Sequence, residues 1–308
     1  MSIAYIHHTD CSLHDMGFGH PEKPTRLSAI EDELKAAHLF DFLRHYEAPL
    51  ATRQQLLRVH DSKYVDNVLS FADKRKPAYL DPDTIVTPET PKAALRAAGA
   101  GIFATDLVLT HKVRGAFCNI RPPGHHALRN AAMGFCFFNN IAIAAVHALE
   151  NYGVARVAIV DFDVHHGNGT EEIFKNDPRV MLCSTFQHPF YPGCGADSGN
   201  DHIINVPLRA GTKGDKFREA VTQFWLPALH KFKPQMIFIS AGFDAHEDDD
   251  MSQLYLHDKD YAWVTHEILA LADKYAEGHI VSMLEGGYDL PALGRSVTAH
   301  LKVLMRMA

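Results

Sequence analysis

Short apolar runs rich in β-branched residues alternate along this chain with longer amphipathic segments, and this alternation constrains the fold more than any other feature. The apolar runs have the length of buried strands and cover residues 3–6, 115–120, 154–160, 180–186, 236–241 and 280–284. The amphipathic segments have helical periodicity and cover residues 26–37, 91–110, 139–150, 170–175, 216–232, 258–276 and 290–307. Such alternation predicts βαβ units, and therefore a mainly parallel sheet with helices on both faces. No linker or repeat divides residues 1–308, which favours a single domain.

Composition and charge narrow the classes of function. The 308 residues are 46% apolar and 22% charged, which is ordinary for a globular enzyme. A net charge of −7 argues against nucleic-acid or anionic-membrane partners and is compatible with a cationic substrate. The sequence shows neither a membrane span nor a signal peptide, so we expect no membrane partner and a cytoplasmic location. The five cysteines include no Cys-x-x-Cys pair, so we expect neither a disulfide framework nor a cysteine zinc site.

Residues 161–170 read Asp-Phe-Asp-Val-His-His-Gly-Asn-Gly-Thr and directly follow the strand predicted over 154–160. Because strand side chains alternate between two faces, we expect Asp161, Asp163 and His165 on one side and His166 on the other. Asp163 and His165 would then present one oxygen and one nitrogen ligand to a divalent metal such as zinc. The alternative is a polar strand end with solvated charges, but the density of carboxylates and imidazoles favours the metal site.

Three other predicted strands end in polar, glycine-containing loops. These loops are residues 121–126, 242–246 and 285–289, read as RPPGHH, GFDAH and EGGYD. Ligand sites in open parallel sheets lie beyond the carboxyl ends of the strands. We therefore expect the loops to share one site with residues 161–170.

Two of these loops supply candidates for catalysis. Asp244 is the predicted third metal ligand, which leaves the open coordination of a catalytic metal; the alternative is a helix N-cap. His125 and His126 are suited to general acid and base catalysis, although two further metal ligands or a polar turn are alternatives. Asp161 and Asn168 are available to orient the two rings.

Three aromatic residues complete the predicted site. Tyr288 follows two glycines, and its phenol could complete an oxyanion site opposite the metal. Phe135 and Tyr191 could wall an apolar slot for the substrate. The alternative for all three is a role in packing alone.

Together these motifs resemble those of the histone deacetylase and acetylpolyamine amidohydrolase family. The resemblance runs from His20-Pro21-Glu22-Lys23-Pro24-Thr25-Arg26 to Glu285-Gly286-Gly287-Tyr288, with several motifs agreeing in order and spacing. It implies an arginase/deacetylase-like α/β single domain with a mainly parallel eight-stranded sheet. It also implies one catalytic zinc ion bound by Asp163, His165 and Asp244, and catalytic roles for a second set of residues: His125, His126, Tyr288 and, as the partner of His125, Asp161.

The same resemblance implies a substrate channel and structural cations. Phe135 and Tyr191 match the aromatic pair that flanks an acyl-lysine channel, and Arg26 matches a buried arginine below the zinc. Asp81 matches a rim residue that binds the substrate backbone in relatives, with Asp83 as the alternative. One or two potassium ions are implied: the first near Asp161, Asp163, His165 and Ser184, and the second near Phe174, Asp177 and Val180.

Within this family the chain is more similar to class II than to class I members. Asn168 stands where class I members have an aspartate behind the second histidine of the pair. Because Asn168 carries no charge, it should raise the pKa of His126 less than an aspartate would.

The leading hypothesis is a zinc-dependent amidohydrolase that removes acetyl or related acyl groups from lysine side chains through a metal-activated water. An acetylated polyamine or other small acylated amine is the alternative substrate. The acidic residues 247–250 could attract either of these positively charged substrates, but a solvated surface is the preferred interpretation for them. An inactive reader of acylated partners and an arginase-type dimanganese enzyme are further alternatives. The sequence leaves the native metal and homo-oligomerisation open.

Overall fold

The computed structural model describes residues 2–307 and contains an eight-stranded parallel sheet with helices around it, as the resemblance implied. The order of the strands in the sheet is β2-β1-β5-β10-β9-β6-β7-β8. A separate hairpin is formed by β3 and β4. The strands are Ile3–His7 (β1), Arg44–Glu47 (β2), Ala78–Asp81 (β3), Thr84–Val86 (β4), Gly115–Cys118 (β5), Val157–Asp161 (β6), Val180–Gln187 (β7), Ile203–Leu208 (β8), Met236–Ala241 (β9) and Ile280–Leu284 (β10).

The helices lie between the strands in sequence, as expected for βαβ connections. Among them, α10 packs against both α1 and α9, and α4 packs against α5. None of the helices in residues 2–307 combines the length and hydropathy of a transmembrane span. The α-helices are Thr25–Ala36 (α1), Arg53–Leu56 (α2), Ser62–Leu69 (α3), Thr90–Leu109 (α4), Asn140–Tyr152 (α5), Asn168–Phe174 (α6), Gly214–Ala220 (α7), Leu226–Phe232 (α8), Asp258–Tyr275 (α9) and Leu290–Leu304 (α10).

The central strands could be predicted because they are buried on both faces. Every residue of β5, β6, β9 and β10 is buried, so these strands read as continuous apolar runs. The helix ends have local causes as well: the Asn139 side chain accepts a hydrogen bond from the amide of Ala142 at the start of α5. Gly153 ends that helix with a left-handed φ of 65°.

The sequence-based boundaries differ from the structure in several places. The strand predicted to begin at residue 154 begins at Val157 and extends to Asp161. The helix predicted over 216–232 is divided into α7 and α8 by a π-helical segment, Val221–Trp225. The edge strands β2 and β8, the hairpin, α2 and α3 were not predicted. The single domain predicted over 1–308 also includes Met1 and Ala308, which lie outside the described residues.

Candidate active site

The four polar loops converge at one edge of the sheet because the strands that carry them are neighbours. Strands β5, β10, β9 and β6 are adjacent in the sheet, and all run in the same direction. Their carboxyl ends therefore deliver the histidine pair, Tyr288, Asp244 and the 161–167 segment to one place. This arrangement confirms the expectation that the loops lie together.

The clustering within residues 161–165 has a different cause from the strand alternation that predicted it. Strand β6 ends at Asp161, and the chain then turns. The carboxylate of Asp161 accepts a 3.1 Å hydrogen bond from the amide of Asp163, and the Asp163 carboxylate accepts a 2.9 Å bond from the amide of His165. Each aspartate thus holds the backbone two residues onward, as in an Asx turn. The alternation argument was wrong beyond Asp161, although the three side chains do lie together.

Asp163, His165 and Asp244 form a buried group with the donor atoms of a metal site. Their ligand atoms all lie within 4.8 Å of one another. Nδ1 of His165 is 3.2 Å from Oδ1 of Asp163 and 3.1 Å from Oδ2 of Asp244. One nitrogen and two oxygens therefore face a common point.

The outer oxygens of the two aspartates are held by backbone amides. Oδ2 of Asp163 accepts a 2.9 Å hydrogen bond from the amide of Gly286, and Oδ1 of Asp244 accepts one of 2.9 Å from the amide of Val164. These bonds leave the other oxygen of each carboxylate directed toward His165. The loops after three strands thereby fix the orientation of the donor set.

The charges of this group also favour a bound cation. Burial and the nearby Asp163 carboxylate raise the pKa of Asp244 to about 6. Burial by itself would lower the pKa of His165, but its hydrogen bonds to Asp163 and Asp244 raise that pKa to about 10. Two buried carboxylates at this separation repel each other, and a divalent cation between them would relieve that repulsion. Two carboxylates and one imidazole are a ligand set that zinc accepts, so these residues fit the implied ion.

The tandem histidines lie beside this group, and each has the predicted partner. Nδ1 of His125 is 2.9 Å from Oδ2 of Asp161, and Nδ1 of His126 is 2.7 Å from Oδ1 of Asn168. Because the amide oxygen of Asn168 can only accept, Nδ1 of His126 carries the proton. Nε2 of neutral His126 is then a free acceptor.

The two rings differ in electrostatic environment even though they are adjacent. Burial alone would lower the pKa of His125, but the carboxylates of Asp161 and Asp163 outweigh it and hold that pKa well above its usual value. Burial and the neighbouring His125 hold the pKa of His126 well below its usual value. The pair is thereby divided into one ring that favours the charged form and one that favours the neutral form.

Tyr288 reaches the same place from the loop after β10. The Arg26 guanidinium lies 4.9 Å from the centre of its ring and donates a 2.6 Å hydrogen bond from Nε to the carbonyl of Gly287. Burial and the charge of Asp244 hold the pKa of the Tyr288 phenol well above its usual value, so the hydroxyl keeps its proton and can donate. Arg26 is fully buried, as the resemblance implied.

A cavity of about 190 Å³ connects this edge of the sheet to the surface. Its lining includes the predicted Phe135 and Tyr191, together with Phe190 and Met251, which were not predicted. The ring of Tyr191 meets that of His126 edge to face, with centroids 5.3 Å apart. The other lining residues are Asp83, His126, Gly134, His165 and Tyr288.

The structure places Asp83 rather than Asp81 in the lining of the cavity. Partial burial and the neighbouring Asp81 carboxylate raise the pKa of Asp83 to about 6. Asp81 instead accepts a 2.9 Å hydrogen bond from the amide of Asp83 and so shapes the hairpin turn. Of the two aspartates between which the sequence left the choice open, Asp83 is the one that lines the cavity.

Two buried carboxylates near the site were not identified from the sequence. Glu285 accepts hydrogen bonds from the amides of Gly124 (2.7 Å) and His125 (3.1 Å), which joins the loop after β10 to the histidine loop. Asp249 belongs to the 247–250 stretch that was expected to be a solvated surface, yet it is only 4% exposed. That expectation was wrong for Asp249, because three backbone amides surround its carboxylate.

The residues expected near monovalent cations lie on β6 and β7 or in the segments next to these two strands. Asp161 and Ser184 are register partners on β6 and β7. In the second predicted location, the amide of Asp177 donates to the carbonyl of Phe174, and the amide of Val180 donates to the carbonyl of Asp177. His166 points away from the donor set and pairs with Glu171 at 2.6 Å, as its exclusion from the ligands predicted.

Residues 20–304 match the family model described as the histone deacetylase domain. The chain belongs to the histone deacetylase family. It is 38% identical over 316 residues to a probable deacetylase of Archaeoglobus fulgidus, with 100% of this chain and 87% of that protein covered. It is 36% identical over 293 residues to the histone deacetylase-like amidohydrolase of Pseudomonas aeruginosa, with 92% and 77% covered.

The fold of this chain also matches that of a solved structure. The HDA15 HD domain matches this chain with a TM-score of 0.93 at 35% identity, covering 99% of this chain and 90% of that one. Membership of the family and similarity to deacetylases and an amidohydrolase make this chain a hydrolase of amide bonds. The arginase/deacetylase-like fold read from the motifs is confirmed.

Proposed function

We propose that this protein is a zinc-dependent deacylase that removes acetyl or related acyl groups from lysine side chains of proteins or peptides. One observation carries the proposal: the Asp163–His165–Asp244 donor set lies at a narrow, aromatic-walled cavity that also receives His126 and Tyr288. An acyl-lysine side chain is long, thin and apolar up to its amide, which suits such a cavity. The acyl carbonyl would then come to rest beside the donor set.

In this proposal His126 is the general base. Its Nδ1 proton is held by Asn168, so Nε2 is free to accept a proton from the attacking water. His125 is held by Asp161 and remains charged, so it stabilises negative charge nearby and can donate a proton to the departing amine. The class II-like Asn168 thereby fixes the tautomer of the base without adding charge beside it.

Tyr288 supplies the donor for the oxyanion. Its phenol stays protonated because burial and Asp244 raise its pKa, and it faces the cavity from the side of Arg26. A donor preorganised toward the developing charge is usually the largest single contribution in acyl transfer. A zinc ion bound by the donor set would add Lewis-acid polarisation of the acyl carbonyl and would lower the pKa of a water molecule.

We also retain, from the family resemblance, a structural potassium ion near Asp161, Asp163, His165 and Ser184. The register pairing of Asp161 with Ser184 supports this proposal, since it brings the end of β6 beside β7. A second ion near Phe174, Asp177 and Val180 is a proposal of the same kind.

A small acylated polyamine is the second candidate substrate. The position of Asp83 is the observation that supports this candidate. The carboxylate of Asp83 lines the cavity, where it could pair with a distal ammonium group of a polyamine. The same carboxylate could instead accept hydrogen bonds from the backbone amides of a lysine peptide. The first role of Asp83 requires a distal ammonium group on the substrate, whereas the second requires backbone amides.

Turnover by the zinc-loaded protein tests both candidates. We expect acetate release from an acetyl-lysine peptide at a higher kcat/KM than from N-acetylputrescine or acetylspermidine, and loss of activity with a chelator that zinc reverses. Asp83→Asn should lower kcat/KM for the preferred substrate, whereas the matched variant Asp81→Asn should have a smaller effect. Preference for the acetylpolyamines would support the second candidate, and no release from any of the three would overturn the proposed function.

A further inference from the structure

The loop after β10 carries Tyr288 and is called the tyrosine loop below. Asp249 and Arg26 bind opposite ends of one peptide unit in this loop. Its Oδ2 accepts hydrogen bonds from the amides of Tyr288 (2.6 Å) and Asp289 (3.0 Å). The carbonyl of the same Gly287–Tyr288 peptide accepts the 2.6 Å hydrogen bond from Arg26. A carboxylate at the amide end and a guanidinium at the carbonyl end therefore hold this peptide with charge-assisted bonds.

The same carboxylate also holds a second residue of the cavity lining. Oδ1 of Asp249 accepts a 3.0 Å hydrogen bond from the amide of Met251, which lines the cavity with Tyr288. Asp289, the residue after Tyr288, caps α10 by accepting a hydrogen bond from the amide of Ala292. Asp249 thus joins two residues of the cavity lining to the start of a long helix while remaining almost entirely buried.

The loop needs such a restraint because of the residues that precede the tyrosine. Gly286 and Gly287 come directly before Tyr288, and Gly287 has a φ of 119°, in a region that glycine occupies readily. Without the two charged partners, the glycine pair would allow many orientations of the phenol. An oxyanion donor loses its effect when it is displaced by even a small distance.

We propose that Asp249 is a positioning residue that aims the Tyr288 hydroxyl into the cavity, and this inference rests on the proposed role of Tyr288. Asp249→Asn keeps the shape but offers one acceptor oxygen to three amides, so we expect kcat to fall about 10- to 100-fold with little change in KM. Asp248→Asn is the matched control, because it removes the neighbouring, exposed charge, which pairs with Arg295 instead.

A double-mutant cycle separates positioning from general damage. In the Tyr288→Phe background, Asp249→Asn should cause almost no further loss of kcat, because the hydroxyl that it positions is already gone. Equal losses in both backgrounds, or full kcat in the single variant, would overturn the proposal. Asp249→Ala in the same cycle should give the same pattern with a larger loss.

Fluorine NMR of protein labelled with 3-fluorotyrosine tests the inference without relying on turnover. The resonance missing from Tyr288→Phe identifies Tyr288. We expect that resonance to shift or broaden in Asp249→Asn and to stay in place in Asp248→Asn. An unchanged resonance in Asp249→Asn would reject positioning even if the proposed substrate were wrong, whereas an inactive wild-type protein would reject only the proposed function.

A different observation carries a second inference, at the opposite end of the sheet. His111 follows α4, whereas Glu277 and His279 lie in the turn between α9 and β10, and the three side chains bring ligand atoms within 4.8 Å of one another. His279 is only 8% exposed, and its Nε2 has no hydrogen-bond partner.

An arginine next to this group is paired with a carboxylate. Arg114 lies against Gly278, between the two ligand residues of the turn, and donates a 2.7 Å hydrogen bond to Asp273. Arg306 also pairs with Asp273. Two imidazoles and one carboxylate are typical ligands of late first-row divalent metals.

We infer that His111, Glu277 and His279 form a second cation site, which takes a divalent transition metal and joins the end of α4 to the α9–β10 turn. Zinc-loaded protein titrated with Ni²⁺ should bind one further equivalent, measured by elemental analysis after gel filtration. His279→Gln should abolish that equivalent without changing turnover, whereas His266→Gln, at an exposed position on α9, should retain it. Absence of the extra equivalent in the wild type, or its persistence in His279→Gln, would overturn the inference.

Discussion

The amide of Gly286 and the carboxylate of Asp163 are joined by a 2.9 Å hydrogen bond across the central strands of the sheet. The approach is so close that a Cβ atom on Gly286 would lie 2.6 Å from Oδ2 of Asp163 and 2.2 Å from Oδ2 of Asp244. A side chain at position 286 would therefore displace both aspartates of the donor set. The glycine is required here by space rather than by backbone conformation.

Gly286→Ala should consequently weaken zinc binding by the proposed donor set. We expect a loss of zinc affinity of about 10-fold or more, comparable to the loss when a group that orients a metal ligand is removed. Competition with a chromophoric chelator measures this affinity. Gly115→Ala is a suitable control, because its Cβ would meet atoms no closer than 3.2 Å at the opposite end of β5. Equal zinc affinity in the two variants would contradict the prediction.

Tyr288→Phe should lower kcat by about two orders of magnitude or more, since it removes the donor to the oxyanion. Zinc content should not change, because the phenol is not one of the predicted ligands. Tyr191→Phe provides a control at another tyrosine of the cavity lining and should lower kcat far less. Turnover by Tyr288→Phe close to that of the wild type would exclude the assigned role.

Asn168→Asp should move the acidic limb of the pH profile of kcat/KM. A carboxylate 2.7 Å from Nδ1 would stabilise the charged form of His126 and raise its pKa. The neutral base would then be lost at a higher pH, so we expect the limb to move upward by about one pH unit. Superimposable profiles for the variant and the wild type would show that the charge at this position does not matter.

His300 should make the protein sensitive to mild acid. Its ring is fully buried between Thr265 and Ser282, and burial lowers its pKa to about 3. An unfolded histidine titrates near pH 6.5, so the contribution of the neutral ring to stability is complete above that pH and declines as the pH falls toward 3. At pH 5 the decline should reach about 2 kcal/mol.

Urea unfolding at pH 7 and pH 5 tests this expectation. His300→Gln can still bond to both hydroxyls, and its free energy of unfolding should fall by about 2 kcal/mol less between the two pH values than that of the wild type. The exposed His266→Gln should show the wild-type decline. The same decline in His300→Gln would assign the acid sensitivity to other groups, such as the buried His14 and His60, whose pKa values are each lowered to about 4 by burial.

The sequence was sufficient for the centre of the fold because the central strands are apolar on both faces. Strands β9 and β10 were predicted to the residue, and the four loops beyond the central strands were expected to meet. The edge strand β2 was missed because its residues are largely exposed and polar. A polar edge strand has no pattern that distinguishes it from a loop.

The candidate site could be predicted where several possible ligands stand close together in the sequence. It could not be predicted where the burial of a residue depends on partners that are distant in the sequence. Asp163, His165 and Asp244 could be proposed from local motifs. Asp249 was assigned to a solvated acidic stretch because its neighbours are charged, yet two of the three amides that bond to its carboxylate belong to residues 39 and 40 positions later. The choice between Asp81 and Asp83 likewise depended on the path of a hairpin that the sequence did not reveal.

The position of β10 has a consequence for how this protein is made. This strand follows all the other described strands in the chain, yet it lies between β5 and β9 at the centre of the sheet and carries Tyr288 beyond its end. On the ribosome, the earlier strands emerge first and must leave a gap for it or rearrange when it arrives. A nascent chain therefore cannot assemble this candidate site before β10 and its loop have emerged, so the donor set and Tyr288 come together only after all the other described strands have been synthesised.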